Sequence, residues 1–320
     1  MNREPATKAS NALQFGWKSC AGEASRKQQE VVRLTIWHYC HTISCVSTFA
    51  RRFLCIIGLP LCTLAGGVQP SDHLKIRSVT QVRLSPDGRR VAYTVARNDA
   101  GRQSLSQLWI MTLADRNTIC LSSADQSSST PEWAPTGVWI AYRGKAGENT
   151  GLFIAHPDGS SKRFLAAMDS TNSPLPMPGK AIAWSPDGRQ IAYVSSQPGP
   201  ETADATGDPM VLTRYLYRPT LTEGYTRFND NKRLHIFIVD VGTGQTRQLS
   251  TGNHYEHSID WSPDGRQIAF VSNREPDEDH FFNYDLFTVD VNTGEIRRLT
   301  ATESAEYRPR WSRRTWRSPM

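Results

Sequence analysis

The sequence predicts an all-β fold built of repeated four-stranded blades, and three observations carry that expectation. A tight-turn motif recurs along the chain, its period is near fifty residues, and short apolar runs of strand length fill each period. The fullest copy is Trp261-Ser262-Pro263-Asp264-Gly265-Arg266-Gln267-Ile268-Ala269-Phe270. Leu84-Ser85-Pro86-Asp87-Gly88 leads into Val91-Ala92-Tyr93, and Trp184-Ser185-Pro186-Asp187-Gly188 into Ile191-Ala192-Tyr193. A looser copy, Trp133-Ala134-Pro135-Thr136-Gly137, leads into Ile140-Ala141-Tyr142.

Each copy encodes a β-hairpin. Proline presets φ in the turn, aspartate caps the turn through the backbone, and glycine supplies the positive φ that closes it. Turn chemistry explains Pro86, Asp87 and Gly88, Pro186, Asp187 and Gly188, and Pro263, Asp264 and Gly265, so these are scaffold and not site.

The residues ahead of the turns are Leu84, Trp133, Trp184, Trp261 and Trp311, at steps of 49, 51, 77 and 50. One unit is thus about fifty residues long and the third carries an insertion of about 27, as in β-propeller repeats. Blades are expected at about 78–122, 130–166, 180–250 and 257–300, with the next starting at 307–312, within a repeat region of 68–312. Four blades and one strand describe an incomplete wheel, an open arc; the alternative is a closed four-bladed ring.

Within the units the strand signals recur in the same order. The first has Arg90 to Ala96, a polar loop at Asn98 to Ser104, Gln107 to Leu113, then Thr118 to Leu121. The second has Val138 to Tyr142, Leu152 to Ala155 and Lys162 to Leu165; the fourth has Gln267 to Ser272, Asp285 to Val291 and Ile296 to Thr300. The tryptophans ahead of the turns are expected to pack between blades.

The third unit differs. Between Tyr193 and the strand at Leu234 to Val241 lies the insertion Gln197 to Lys232. Long insertions in compact folds are disproportionately functional, and arginine and tyrosine are enriched at contacts. Arg214, Tyr217, Arg218 and Glu223 are therefore the candidate contacts with a peptide or protein, against the alternative of a solvated loop or a hairpin extending one blade. The acidic run Glu275 to His280 lacks the alternating ligands and central glycine of a calcium loop and reads as a solvated connection.

Composition narrows the function classes. The net charge is +6, yet residues 1–70 hold eight Lys/Arg against three acidic residues, so the repeats are nearly neutral and predict no nucleic-acid groove. Of six cysteines only Cys120 lies among the repeats, which leaves them no internal disulfide. No cofactor and no metal is expected; Cys40, His41 and Cys45 lack a second ligand pair at zinc spacing.

Residues 1–45 read as a non-native, disordered extension. Arg51-Arg52, the apolar run Phe53 to Ala65 and Gly66-Gly67 make 46–67 signal-peptide-like, too short to span a membrane and pointing to export, expected to be periplasmic. Translation starting near Val46 would place that signal at the true N-terminus. At the other end Trp311-Ser312 is followed by Arg313 to Met320 and not by Pro-Asp-Gly, so 313–320 reads as an aberrant tail, expected from a frameshift or premature stop.

The fourth unit, Trp261 to Arg274 followed by Asp285 to Thr300, resembles the TolB-type, WD-like repeat. That repeat builds TolB and the N-terminal propeller of prolyl oligopeptidase family serine peptidases. Arg77 to Gly88 resembles the first blade of those peptidases. The segment Arg214 to Val241 resembles their long middle blade, which leads into a strand of the form Val239-Asp240-Val241-Gly242-Thr243-Gly244. The resemblance implies a propeller lying over an α/β-hydrolase domain and admitting only short or unstructured peptides. No Gly-x-Ser-x-Gly elbow occurs in the sequence, so no catalytic residue is assigned and the hydrolase domain is expected to be missing. The alternatives are a TolB-like periplasmic protein-binding propeller and a non-functional truncated product.

Overall fold

A computed structural model of the chain describes residues 69–97, 105–123, 126–146, 149–173, 177–200, 217–219, 226–228, 230–276, 278 and 283–312. The 1–45 extension with Cys40, His41 and Cys45, the 46–67 signal-like segment, the polar loop at 98–104 and the 313–320 tail lie outside the described residues.

After a 3-10 turn at Pro70–Lys75, the described residues form four antiparallel four-stranded sheets. The first is β1 (Arg77–Leu84), β2 (Arg90–Arg97), β3 (Leu105–Thr112) and β4 (Thr118–Cys120). The second is β5 (Ser129–Trp133), β6 (Ile140–Ala146), β7 (Asn149–Ala155) and β8 (Lys162–Ala167). In the third, β9 (Ile182–Trp184) and β10 (Gln190–Pro198) precede an insertion holding β11 (Tyr217–Pro219) and β12 (Thr226–Phe228); β13 (Lys232–Asp240) and β14 (Thr246–Gln248) complete the sheet. The fourth is β15 (Glu256–Trp261), β16 (Gln267–Ser272), β17 (Asp285–Asp290) and β18 (Ile296–Arg298). These are propeller blades, each pairing its strands in chain order. The β11–β12 hairpin is a sheet of its own and does not extend blade three.

The turns owe their shape to side chains. In blade one the Ser85 hydroxyl donates to Asp87 Oδ1 at 2.5 Å and accepts from the Arg90 amide, while the Arg89 amide donates to the same carboxylate oxygen. Ser185 with Asp187 and Ser262 with Asp264 repeat the pattern. Those bonds, the serine hydroxyl first and the amide second, hold all three carboxyls below the usual carboxylate range. The second turn has Ala134 and Thr136 in the serine and aspartate places, yet Gly137 keeps φ 70, close to Gly188 and Gly265. Thr136 Oγ1 accepts from the Val138 amide at 3.4 Å in the aspartate's stead, and glycine supplies the φ that only it takes without strain.

Between blades the core divides into one layer per boundary. Ala92, Leu108 and Ile110 of blade one meet Trp133, Ile140, Tyr142 and Phe153 of blade two. Leu152 and Ile154 meet Ile182, Trp184 and Ile191, and Ile236 and Ile238 meet Trp261, Ile268 and Phe270. Burial of middle strands on both faces explains their continuous apolar runs, whereas the outer β14 is exposed throughout.

The expected tryptophan packing has a polar component as well. Trp133 Nε1 donates to the Arg83 carbonyl, Trp184 Nε1 to that of Glu132, Trp261 Nε1 to that of Ala183 and Trp311 Nε1 to that of Asp260, each at 3.0 Å. Each acceptor stands one residue ahead of the preceding blade's own Leu84 or tryptophan, so every blade is latched to the one before. Leu84, with no such donor, is 59% exposed. Three residues ahead of Trp133, Trp261 and Trp311, Thr130, Ser258 and Arg308 have φ between 51 and 58, so the repeat conformation resumes at 308–312.

A line of charges crosses the same boundaries. Arg83 Nε meets Glu132 Oε1 at 2.8 Å, and Lys180 Nζ lies 3.5 Å from Glu132 Oε2 and 3.6 Å from Asp260 Oδ1. Arg310 Nη1 then meets Asp260 at 3.2 Å.

Two expectations need correction. Strand β7 begins at Asn149 and not at Leu152, because Asn149 and Thr150 pair with Ala146 and Lys145 although they carry no apolar signal. The acidic connection is not wholly solvated either: Glu278 is 8% exposed and accepts from His254 Nδ1 at 2.7 Å.

Candidate functional site

Strand direction gives each blade two unlike ends. The tight turns between first and second strands lie at one end with the third-to-fourth turns; the second-to-third connections and the links between blades lie at the other. The blade-three insertion belongs to the second kind. Its stem is fastened to the link from blade two: Thr171 Oγ1 donates to Asp230 Oδ1 at 2.7 Å, and the Asn172 amide donates to Asp230 Oδ2. In return the Asp230 amide donates to Asn172 Oδ1 at 2.7 Å.

A cavity of roughly 310 Å³ opens at this end between blades two and three. Met168, Met177, Val194 and Leu234 supply its apolar lining, and Ser129, Thr130, Arg143, Asp169, Ser170 and Ser173 its polar one. Arg143 is the central donor. Its Nε donates to the Met168 carbonyl at 3.1 Å and its Nη2 to Ser170 Oγ at 3.3 Å, which fixes the guanidinium plane. Burial lowers its proton affinity and neighbouring Asp169 opposes that shift. Thr130 and Ser173 both line the cavity, and their hydroxyl oxygens are buried with no hydrogen-bond partner among the described residues. Buried hydroxyls of that kind are costly unless a ligand or water completes them. The arrangement can present hydroxyls and a guanidinium to a peptide carbonyl or carboxylate and an apolar wall to a side chain.

Of the sequence-chosen contacts, Arg214 and Glu223 lie outside the described residues, while Tyr217 and Arg218 stand on β11, paired in register with Phe228 and Arg227. Sequence reasoning missed Arg143, for which a signal existed. The residue following Val91-Ala92-Tyr93, Ile191-Ala192-Tyr193 and Ile268-Ala269-Phe270 is Thr94, Val194 and Val271, so Arg143 is the one charge at that place among the four blades. Thr130 and Ser173 carry no comparable signal.

No protein-family model matches the chain. It is 25% identical over 229 residues to the uncharacterized peptidase YuxL of Bacillus subtilis (strain 168), a match covering 69% of this chain and 33% of that protein. A TolB homolog of Chlorobium luteolum is 30% identical over 190 residues, covering 58% of this chain and 32% of the relative. The solved Pyrococcus horikoshii acylaminoacyl peptidase superposes with a TM-score of 0.51 at 16% identity, over 72% of this chain and 33% of that one, a likeness of fold. The chain thus spans about a third of the length of the relatives it matches. With four repeated blades latched in order, the chain is a β-propeller, and its repeats are similar in sequence to those of both a peptidase and a TolB homolog.

Proposed function

We propose that this propeller is the substrate-gating part of a prolyl oligopeptidase family serine peptidase, and that it receives short or unstructured peptides in the cavity between blades two and three. The carrying observation is the donor set of that cavity, with Arg143 held flat and the Thr130 and Ser173 hydroxyls lacking partners. The sequence match to a peptidase supports the same assignment. The propeller contributes selection and retention, and peptide hydrolysis is assigned to an α/β-hydrolase domain. Export to the periplasm is part of the proposal.

The test is fluorescence anisotropy of the full chain with labelled unstructured peptides, beside Arg143→Met checked for folding by circular dichroism. Binding by the parent, weakened about tenfold by Arg143→Met, is expected from loss of a charge-assisted contact. No binding, or equal binding by both, would refute it. The match to a TolB homolog favours a second reading, in which the propeller is a platform for a folded periplasmic protein. Capture of a folded partner that unstructured peptides cannot displace would decide for it.

A further inference from the structure

We infer that a second groove, at the tight-turn end between blades one and two, binds an extended peptide segment carrying one acidic side chain among apolar ones. The groove measures roughly 670 Å³, within the range of ligand sites.

Its openness follows from one departure in the repeat. At the next boundary Arg163 of β8 donates through Nη2 to the Val241 carbonyl of blade three, and at the one after Arg247 of β14 donates to the Val291 carbonyl of blade four at 2.5 Å. Arg163 is paired in register with Ile154 and Arg247 with Ile238. The corresponding partner of Ile110 in blade one is Ile119. Among the described residues no guanidinium from the fourth strand makes that bridge to the next blade here, and Ile119 forms part of the groove lining with Ile110 and Val138.

A second departure adds charge. The residue whose amide donates to the turn serine is Gln190 in blade three and Gln267 in blade four, but Arg90 in blade one. Arg90 and Arg89 both line the groove, and neither side chain makes a hydrogen bond or salt bridge among the described residues. Two carboxylates share the rim. Asp87 Oδ1 accepts from Ser85 Oγ and the Arg89 amide, and Asp158 Oδ1 accepts from the Ser160 amide, so each is engaged in its own turn.

Free guanidinium donors select a carboxylate, with which arginine forms paired hydrogen bonds. The two aspartates balance the two arginines, so the groove offers donors without a net positive field. That balance disfavours polyanions, whose binding depends on summed charge. The apolar lining takes the residues on either side of the acid.

Repeat-derived substitutions test this without novel packing. Arg90→Gln installs what blades three and four carry, and Ile119→Arg installs the bridging arginine of the next two boundaries. Anisotropy of the full chain would be read with labelled peptides centred on Val-Glu-Val, Val-Gln-Val and Val-Lys-Val, with duplex DNA as competitor. Preference for the glutamate peptide, about tenfold weakening by Arg90→Gln and loss of binding in Ile119→Arg are expected, with no displacement by DNA. Equal binding of the three peptides, unchanged affinity in both variants, or DNA displacing the peptide would overturn the proposal. Loss through Arg143→Met alone would assign all peptide binding to the other cavity and also overturn it.

Discussion

Trp184→Phe isolates the latch between blades two and three. The substitution keeps an aromatic ring in a site where Trp184 is 8% exposed, but removes the indole N–H that donates to the Glu132 carbonyl at 3.0 Å. The bond itself contributes about 1 kcal/mol net, and a carbonyl left buried without that donor costs about 1–2 kcal/mol more. The smaller ring leaves a void of about 40 Å³, worth about 1 kcal/mol at the cavity coefficient. The sum is about 3–4 kcal/mol. Urea unfolding followed by far-ultraviolet circular dichroism measures it, with coincidence of a second probe as the check that blades unfold together. Leu84→Phe is the control: it stands at the same place of the repeat, but it is 59% exposed and is predicted to change stability by less than about 0.5 kcal/mol. If Trp184→Phe cost under about 1 kcal/mol, or no more than Leu84→Phe, the blades would be held by apolar contact alone and the latch would have no energetic content.

Two further outcomes are expected. Burial pushes His257 down to about 4, partly opposed by the Pro178 carbonyl, whereas the unfolded residue titrates at its ordinary 6.5. The unfolded chain therefore binds the proton first, and stability falls by about 3 kcal/mol as pH drops from about 6.5 to 4; His257→Gln should flatten that slope in urea midpoints measured across the window. Gly151→Ala should destabilise by about 3 kcal/mol through overpacking, because the added Cβ would lie 2.2 Å from the Ala166 carbonyl oxygen. Gly188→Ala, whose Cβ would meet only Pro135 Cδ at 3.8 Å but at φ 70, should cost only about 1 kcal/mol; the reverse order in paired melts would show that backbone conformation outweighs strand spacing.

What the sequence disclosed depended on how local the cause was. The turns at 85–88, 185–188 and 262–265 were legible because proline, aspartate and glycine act within a few residues of themselves. Burial of Trp133, Trp184 and Trp261 was legible from repetition, but their acceptors lie 50, 52 and 78 residues away and are backbone atoms, which no side-chain identity announces. Thr130, Ser258 and Arg308 take positive φ without being glycine, so their bulges left no mark. Arg143 was legible in principle as an odd residue in a repeat. The Ser173 side of the same cavity comes from a link between blades that follows no period.

The line Arg83, Glu132, Lys180, Asp260, Arg310 alternates in sign from blade to blade, and all but Lys180 hold the same place in the repeat, one residue ahead of Leu84 or its tryptophan counterpart. Blades with near-identical turns and strand orders are, on backbone grounds, interchangeable parts. The alternation makes them distinguishable: skipping blade two would set Arg83 beside Lys180, and skipping blade three would set Glu132 beside Asp260. Such errors are the characteristic misassembly of repeat chains, whether within one molecule or by exchange between two. Like charges meeting at a boundary penalise the skipping of a single blade, so the row of ions disfavours that out-of-order pairing.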